Sequence, residues 1–192
     1  AEAVGDRALV VGGVGWSLPY ARDLAIEAEK AGAHAVMVHH PTHTYIHRDA
    51  LRRYFEGIME AINIGVILYK RGPELTDDLI YELVQHEQVV GVKYAVNDMN
   101  AFTNLVDRTQ APVAWVCGTA ERWAPFFALG GAVGFTSGLA NFAPKKALAL
   151  RDALNAGDYA RAMAVRREIL EFEELRQHKF SANNVPAVKE AC

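Results

Sequence analysis

Val89-Val90-Gly91-Val92-Lys93-Tyr94-Ala95 is an apolar run broken near its end by one lysine. Comparable runs flank it. Upstream lie Ala8-Leu9-Val10-Val11-Gly12-Gly13-Val14-Gly15, Ala35-Val36-Met37-Val38 and Ile64-Gly65-Val66-Ile67-Leu68-Tyr69. Downstream lie Pro112-Val113-Ala114-Trp115-Val116-Cys117 and Ala132-Val133-Gly134-Phe135-Thr136. None alternates apolar with polar residues. Each is therefore expected to be a strand buried on both faces, as parallel sheets supply.

Helical stripes separate the runs. Ala21, Leu24, Ala25 and Ala28 mark the first, with Gly32 as its C-terminal cap. Leu51, Tyr54, Phe55, Ile58 and Met59 mark a second at helical spacing. Thr76 is a good N-cap, followed by Asp77 and Asp78 where the helix dipole favours acids, then Leu79, Ile80, Leu83 and Val84. Phe102, Leu105 and Val106 mark another, and Pro144 suits a helix start. Asp158 can cap a long last helix through Ala162, Val165, Ile169, Phe172 and Leu175, with Arg161, Arg166, Arg167 and Arg176 on its solvated face. No linker or low-complexity tract interrupts the pattern, so residues 1–192 are expected to form a single domain.

Alternating strands and helices make an α/β protein with a parallel sheet. A doubly wound sheet and a (β/α)₈ barrel both place functional groups at strand C-terminal ends. Those ends are polar here: His39 and His40, Tyr69-Lys70-Arg71, Lys93-Tyr94, Gly118-Thr119, Thr136-Ser137. Polar ends on many successive strands suit the barrel better, although a full barrel usually takes about 250 residues.

The 192 residues are 51% hydrophobic and 22% charged, which excludes a disordered, collagen-like or disulfide-stapled chain. A net charge of −3 gives no basic excess for nucleic acid or a membrane surface. Two cysteines, Cys117 and Cys192, suggest reduced thiols and a cytoplasmic protein. No apolar run is long enough to span a bilayer, and Ala1-Glu2-Ala3-Val4-Gly5-Asp6-Arg7 is no signal peptide. The missing initiator Met and the abrupt end at Cys192 suggest a segment of a longer protein.

Lys93 is the most informative residue. A lysine desolvated inside a strand layer offers a neutral amine as nucleophile; the plainer alternative is a strand-end lysine reaching solvent or an acid. Tyr69 ends the preceding run, where a phenol could shuttle protons to a substrate on Lys93; otherwise it is a half-buried strand tyrosine. His39, His40, His43 and His47 invite a metal reading, but Pro41 breaks any helix through them and no acid or cysteine stands at ligand spacing. Gly12-Gly13-Val14-Gly15 could be a phosphate loop, and a tight strand-to-helix turn explains it more simply. Cys117 reads as a small buried residue.

Taken together these segments resemble the dihydrodipicolinate synthase/N-acetylneuraminate lyase family of Schiff-base aldolases. Ile67-Leu68-Tyr69 resembles its catalytic-tyrosine strand, and Val90-Gly91-Val92-Lys93 its Schiff-base lysine strand. Gly118-Thr119 resembles its glycine turn; Phe127-Ala128-Leu129-Gly130-Gly131 and Ser137-Gly138-Leu139-Ala140-Asn141 resemble the segments around its last strand. Ala156-Gly157-Asp158 and Val185-Pro186-Ala187-Val188-Lys189 resemble its C-terminal helical pieces. The resemblance implies a (β/α)₈ TIM barrel, with the first visible strand as its third, the first two absent, and a C-terminal helical extension.

It further implies a lyase in which Lys93 and Tyr69 are catalytic and Gly118, Thr119, His43, Ser137 and Gly138 contact a small 2-keto acid. No metal or organic cofactor is needed, and a homo-oligomer, tetramer or dimer, is expected. Two departures matter. Where synthases of the family continue from the tyrosine with Asn, Pro and a carboxylate-binding Arg, this chain reads Lys70-Arg71-Gly72-Pro73-Glu74-Leu75. Where they carry paired tyrosines, it reads Pro41-Thr42-His43-Thr44-Tyr45, so His43 could replace the relay tyrosine. Ile62-Asn63-Ile64-Gly65-Val66-Ile67 looks more like the sugar-acid dehydratase branch. The expected activity is aldol cleavage or dehydration of a 2-keto-3-deoxy acid. The alternatives are dihydrodipicolinate synthase proper, a metal-dependent aldolase, and a non-catalytic sugar-acid-binding barrel.

Overall fold

The computed structural model describes residues 1–41 and 45–192. Strands β1 (Val11–Val14), β2 (Ala35–Val38), β3 (Gly65–Lys70), β4 (Val89–Tyr94), β5 (Ala114–Cys117) and β6 (Gly134–Phe135) each lie on one of the expected runs. They follow one another in the sheet in chain order. The pairs β1–β2, β2–β3, β3–β4 and β5–β6 are parallel. The helices are α1 (Leu18–Lys30), α2 (Arg48–Met59), α3 (Asp77–Leu83), α4 (Met99–Arg108), α5 (Ala124–Leu129), α6 (Pro144–Asn155), α7 (Tyr159–Ser181) and α8 (Asn184–Ala191).

The expected caps form. Thr76 Oγ1 accepts from the Leu79 amide at 3.2 Å, and Asp158 Oδ1 from the Arg161 amide at 2.9 Å. Each such cap contributes about 1 kcal/mol. Gly32 follows α1 with φ +79°, a conformation in which a Cβ would be strained. Among the described residues, no helix is long and apolar enough to cross a membrane.

The chain divides into two compact units. One is Ala1–Val96 with Asn100–Trp115; the other is Asn97–Met99 with Val116–Cys192. In the first unit the strands are not buried on both faces, contrary to expectation. On β3, Val66, Leu68 and Lys70 are buried, whereas Gly65, Ile67 and Tyr69 are half-buried. Val36 and Val38 on β2, and Val92 and Tyr94 on β4, share the buried face. Side chains of a strand alternate between faces. Buried helix residues such as Ala21, Ala25, Leu51, Phe55, Ile58, Leu79 and Ile80 accompany that face. The other face carries Met37, Ile67, Tyr69 and Lys93. Two of these are apolar, which is why the sequence reads as unbroken hydrophobic runs.

In the second unit, Ala124, Leu150, Ala153, Ala162 and Val165 form one apolar cluster, and Leu139, Ala147 and Ile169 another. Helix α7 departs from the expected stripe. Leu175, expected in the core stripe, is 53% exposed. Arg161 and Arg167 are solvated as expected, but Arg166 and Arg176 turn inward. Arg166 Nε donates to the Arg122 carbonyl at 2.6 Å, and Arg176 Nη1 to Glu173 Oε1 at 2.7 Å. The cause is the 3.6-residue period: steps from Ala162 pass Val165 and Ile169 and land on Glu173 and Arg176, not on Leu175.

Candidate active site

Tyr69 and Lys93 are direct partners in the β3–β4 register, so both side chains leave the same face of the sheet. Lys93 Nζ lies 4.2 Å from the centroid of the Tyr69 ring. β2 meets β3 at Val38 and Leu68, which sets His39 next to Tyr69. Their rings meet edge to face with centroids 4.8 Å apart. His39, His40, Tyr69, Arg71, Gly72 and Glu74 line a cleft of about 270 Å³. That volume suits a ligand smaller than a drug-sized one, for which pockets run from about 300 Å³ upward.

Burial raises the Tyr69 phenol pKa above its ordinary value, while the Arg71 cation opposes the rise. Tyr69 therefore stays a protonated donor at neutral pH. Burial lowers the His39 pKa below its ordinary value, and Lys93, Arg71 and His40 push it the same way. The ring keeps open surface toward the cleft, so the effect is moderated by solvent.

Lys70 is next to Tyr69 in sequence but points the other way. It is 6% exposed. Its Nζ lies 3.0 Å from Asp77 Oδ1 and donates to the Leu75 carbonyl at 2.8 Å. The Tyr94 hydroxyl donates to the same Asp77 oxygen at 3.2 Å. This network closes the turn that carries Arg71, Gly72 and Glu74 along the cleft. Arg71, displaced in sequence from the family position, is thereby a cleft residue.

Among the described residues, His39, His40 and His47 have separate partners. His39 faces Tyr69, and His40 Nδ1 sits 3.2 Å from the Pro41 carbonyl. His47 Nδ1 accepts from the Asp49 amide at 3.2 Å and caps α2. His43 lies outside the described residues. Among the described residues, no three His, Cys, Asp or Glu side chains are grouped to hold a metal. Gly12 and Gly13 lie within β1 rather than in a phosphate loop. A Cβ at Gly12 would come 2.9 Å from Ala28 Cβ, so this glycine lets α1 approach the strand.

The other expected contact residues belong to the second unit. Gly118 and Thr119 follow β5, and Thr119 Oγ1 donates to Asn97 Oδ1 at 2.7 Å. Cys117 is buried, and burial pushes its thiol up to about 11, an inert state. Ser137 Oγ donates to Glu121 Oε1 and accepts from the Ala140 amide at 2.8 Å. Gly138 faces Arg176: a Cβ there would lie 2.6 Å from the guanidinium carbon. Sequence reasoning missed Glu121, which is fully buried with Oε2 lacking a hydrogen bond. Burial raises its carboxyl pKa; the Ser137 hydrogen bond opposes this. An acid just ahead of the apolar stretch 123–129 was the available signal.

A model of the Dihydrodipicolinate synthetase family matches residues 1–192. The chain is 34% identical over 178 residues to 4-hydroxy-tetrahydrodipicolinate synthase 1 of Streptomyces coelicolor, covering 90% of this chain and 57% of that protein. It is 28% identical over 180 residues to the probable 5-dehydro-4-deoxyglucarate dehydratase of Ralstonia nicotianae, covering 91% of this chain and 58% of that one. The crystal structure of dihydrodipicolinate synthase from Oceanobacillus iheyensis matches with a TM-score of 0.95 and 42% identity, over 99% of this chain and 64% of that chain. The chain therefore spans a little under two thirds of these relatives' lengths. Its six parallel strand–helix units correspond to part of their (β/α)₈ barrel.

Proposed function

This chain belongs to the dihydrodipicolinate synthetase family, and we propose that it holds the reacting pair of a Schiff-base-forming lyase acting on a 2-keto acid. The observation that carries this reading is the placement of Lys93 Nζ 4.2 Å from the Tyr69 ring, at one register position of two adjacent strands. The Lys93 amine attacks the keto carbon to give a carbinolamine. Loss of water leaves a protonated imine, an electron sink that lets a bond at the next carbons break. Tyr69 supplies and accepts the protons of the carbinolamine step. The cations of Lys93 and Arg71 favour an anionic substrate in the cleft.

The substrate we favour is a sugar-derived 2-keto-3-deoxy acid, cleaved or dehydrated. Two features support it. Lys70 and Glu74 stand in the segment where synthases carry Asn and the carboxylate-binding Arg, and a named dehydratase is among the relatives. Dihydrodipicolinate synthase proper is the second reading, favoured by the name of the Streptomyces relative. Gly118, Thr119, His43, Ser137 and Gly138 are assigned to substrate contact by resemblance alone. A cytoplasmic homotetramer or dimer, with neither nucleic acid nor membrane as partner, completes the proposal.

Borohydride reduction in the presence of pyruvate or another 2-keto acid should add the ligand's mass to a peptide containing Lys93. An unmodified Lys93 in a protein that still turns over would sink the mechanism. Efficient condensation of pyruvate with aspartate semialdehyde would instead favour the second reading. Tyr69→Phe should keep the fold and form the imine slowly, lowering turnover by about 10²–10⁴, as for a lost general acid–base. Near-normal turnover of that variant would mean another group moves the proton.

A further inference from the structure

β1 pairs with β2 at Val14 and Val38, and β2 with β3 at Val38 and Leu68. One step further along each strand come Gly15, His39 and Tyr69, and Tyr69 is paired with Lys93. Side chains alternate, so this whole row lies on the face opposite Val38 and Leu68. At its first position there is no side chain. A Cβ at Gly15 would meet His39 Cβ at 3.1 Å, so the glycine makes the room in which His39 stands. The His39 backbone is held from two sides: its amide donates to the Val14 carbonyl at 2.8 Å, and its carbonyl accepts from the Tyr54 hydroxyl at 3.3 Å. Its ring meets the Tyr69 ring edge to face and lines the same cleft.

We propose that His39 is a further catalytic residue: the base that takes the C3 proton from the imine formed on Lys93, and the acid that gives a proton back. The inference rests on the imine reading above. Its chemistry is balanced within the site. The imidazole nitrogen takes the C3 proton, the C–H electron pair becomes a C2=C3 bond, and the C2=N pair moves to nitrogen, giving an enamine and an imidazolium. The imidazolium then returns its proton to C3, or to a departing hydroxyl that leaves as water. Tyr69 can accept a proton only after giving its own, as in the carbinolamine step; it enters this step as a protonated phenol, which leaves the C3 proton to another group. Among the described residues, the titratable and charged groups around His39 include Lys93, Arg71, His40, Tyr69, Glu74 and Tyr54. Burial and the surrounding cations keep its imidazole neutral to lower pH than usual, as the accepting step requires.

The test is exchange of the pyruvate methyl protons in D2O, followed by NMR on the full-length protein, with borohydride trapping in parallel. Exchange by the native protein should fall as pH drops through the His39 pKa, below the ordinary 6.5, because a protonated imidazole accepts nothing. His39→Gln should lower exchange by about 10²–10⁴ and remove that acid limb, while the Lys93 peptide is still trapped. His39→Asn should behave alike, and thermal unfolding of both variants checks the fold. Native-rate exchange in either folded variant, or slower exchange with the acid limb intact, would overturn the assignment. Absence of trapping in the native protein would overturn the imine reading instead.

Discussion

Lys93→Ala is expected to lower turnover by about 10⁴ or more, because it removes the atom that forms the covalent bond. Among the described residues, Lys70 cannot take over. Lys70 is one residue beyond Tyr69 on β3, but its Nζ faces away from the cleft and is held by Asp77 and the Leu75 carbonyl. Moving it would take the cation from the half-buried Asp77 carboxylate and break its bond to the Leu75 carbonyl. Lys93→Arg separates charge from nucleophilicity. The guanidinium keeps a cation near the Tyr69 ring, yet it is never deprotonated and cannot attack a carbonyl. Both variants should therefore be inactive, and both should fold, since Lys93 is only half-buried. Steady-state turnover with circular dichroism checks this. More than a tenth of native turnover in Lys93→Arg would show that the lysine serves as a charge and that the imine forms elsewhere or not at all.

The strands and caps were legible because they depend on local chemistry. Apolar runs gave all six strands, and Thr76 and Asp158 cap the helices they precede. The pairing of Lys93 with Tyr69 was half legible: each closes a run, but only the β3–β4 register makes them neighbours. His39 was seen as one of four histidines, and its importance comes from parity. It lies an even number of residues from Ala35 and Met37, in the row with Tyr69, whereas His40 does not. Lys70 counted among the polar strand ends, but one residue's shift along a strand reverses the face, so it turns away from Tyr69. What local patterns could not show is which polar side chains turn inward. Leu175 looked like core and Arg176 like surface, yet helix phase and a buried acid reverse them. Glu121 was passed over because its partners are distant in sequence: Ser137 is 16 residues away.

Arg176→Ala is expected to be the most destabilising substitution in the second unit. Glu121 and Glu173 are both buried there. Arg176 Nη1 lies 2.7 Å from Glu173 Oε1 and 4.0 Å from Glu121 Oε2. Its Nε and Nη2 also donate to Asn184 Oδ1 at 3.0 and 2.6 Å, tying α7 to α8. Removing the guanidinium leaves two buried carboxylates without their cation. Breaking a buried pair from one side costs about 3–5 kcal/mol. For a protein of this size that corresponds to a fall in Tm of roughly 6–20 °C. The loss should depend on pH in a definite direction. Burial already raises the folded-state pKa of Glu121, and Arg176 opposes that rise. Without Arg176 the pKa goes higher, so the folded state holds its proton best at low pH and loses that stabilisation as pH rises. The gap between variant and native Tm should thus be small near pH 5 and large near pH 8. Glu173→Gln in the Arg176→Ala background should recover much of it, because one of the two uncompensated charges is gone. Gly138→Ala should reproduce part of the effect, since its Cβ would occupy the space of the guanidinium. A gap that stays constant with pH would show that Arg176 stabilises the fold by packing and by its bonds to Asn184, not by neutralising buried acid.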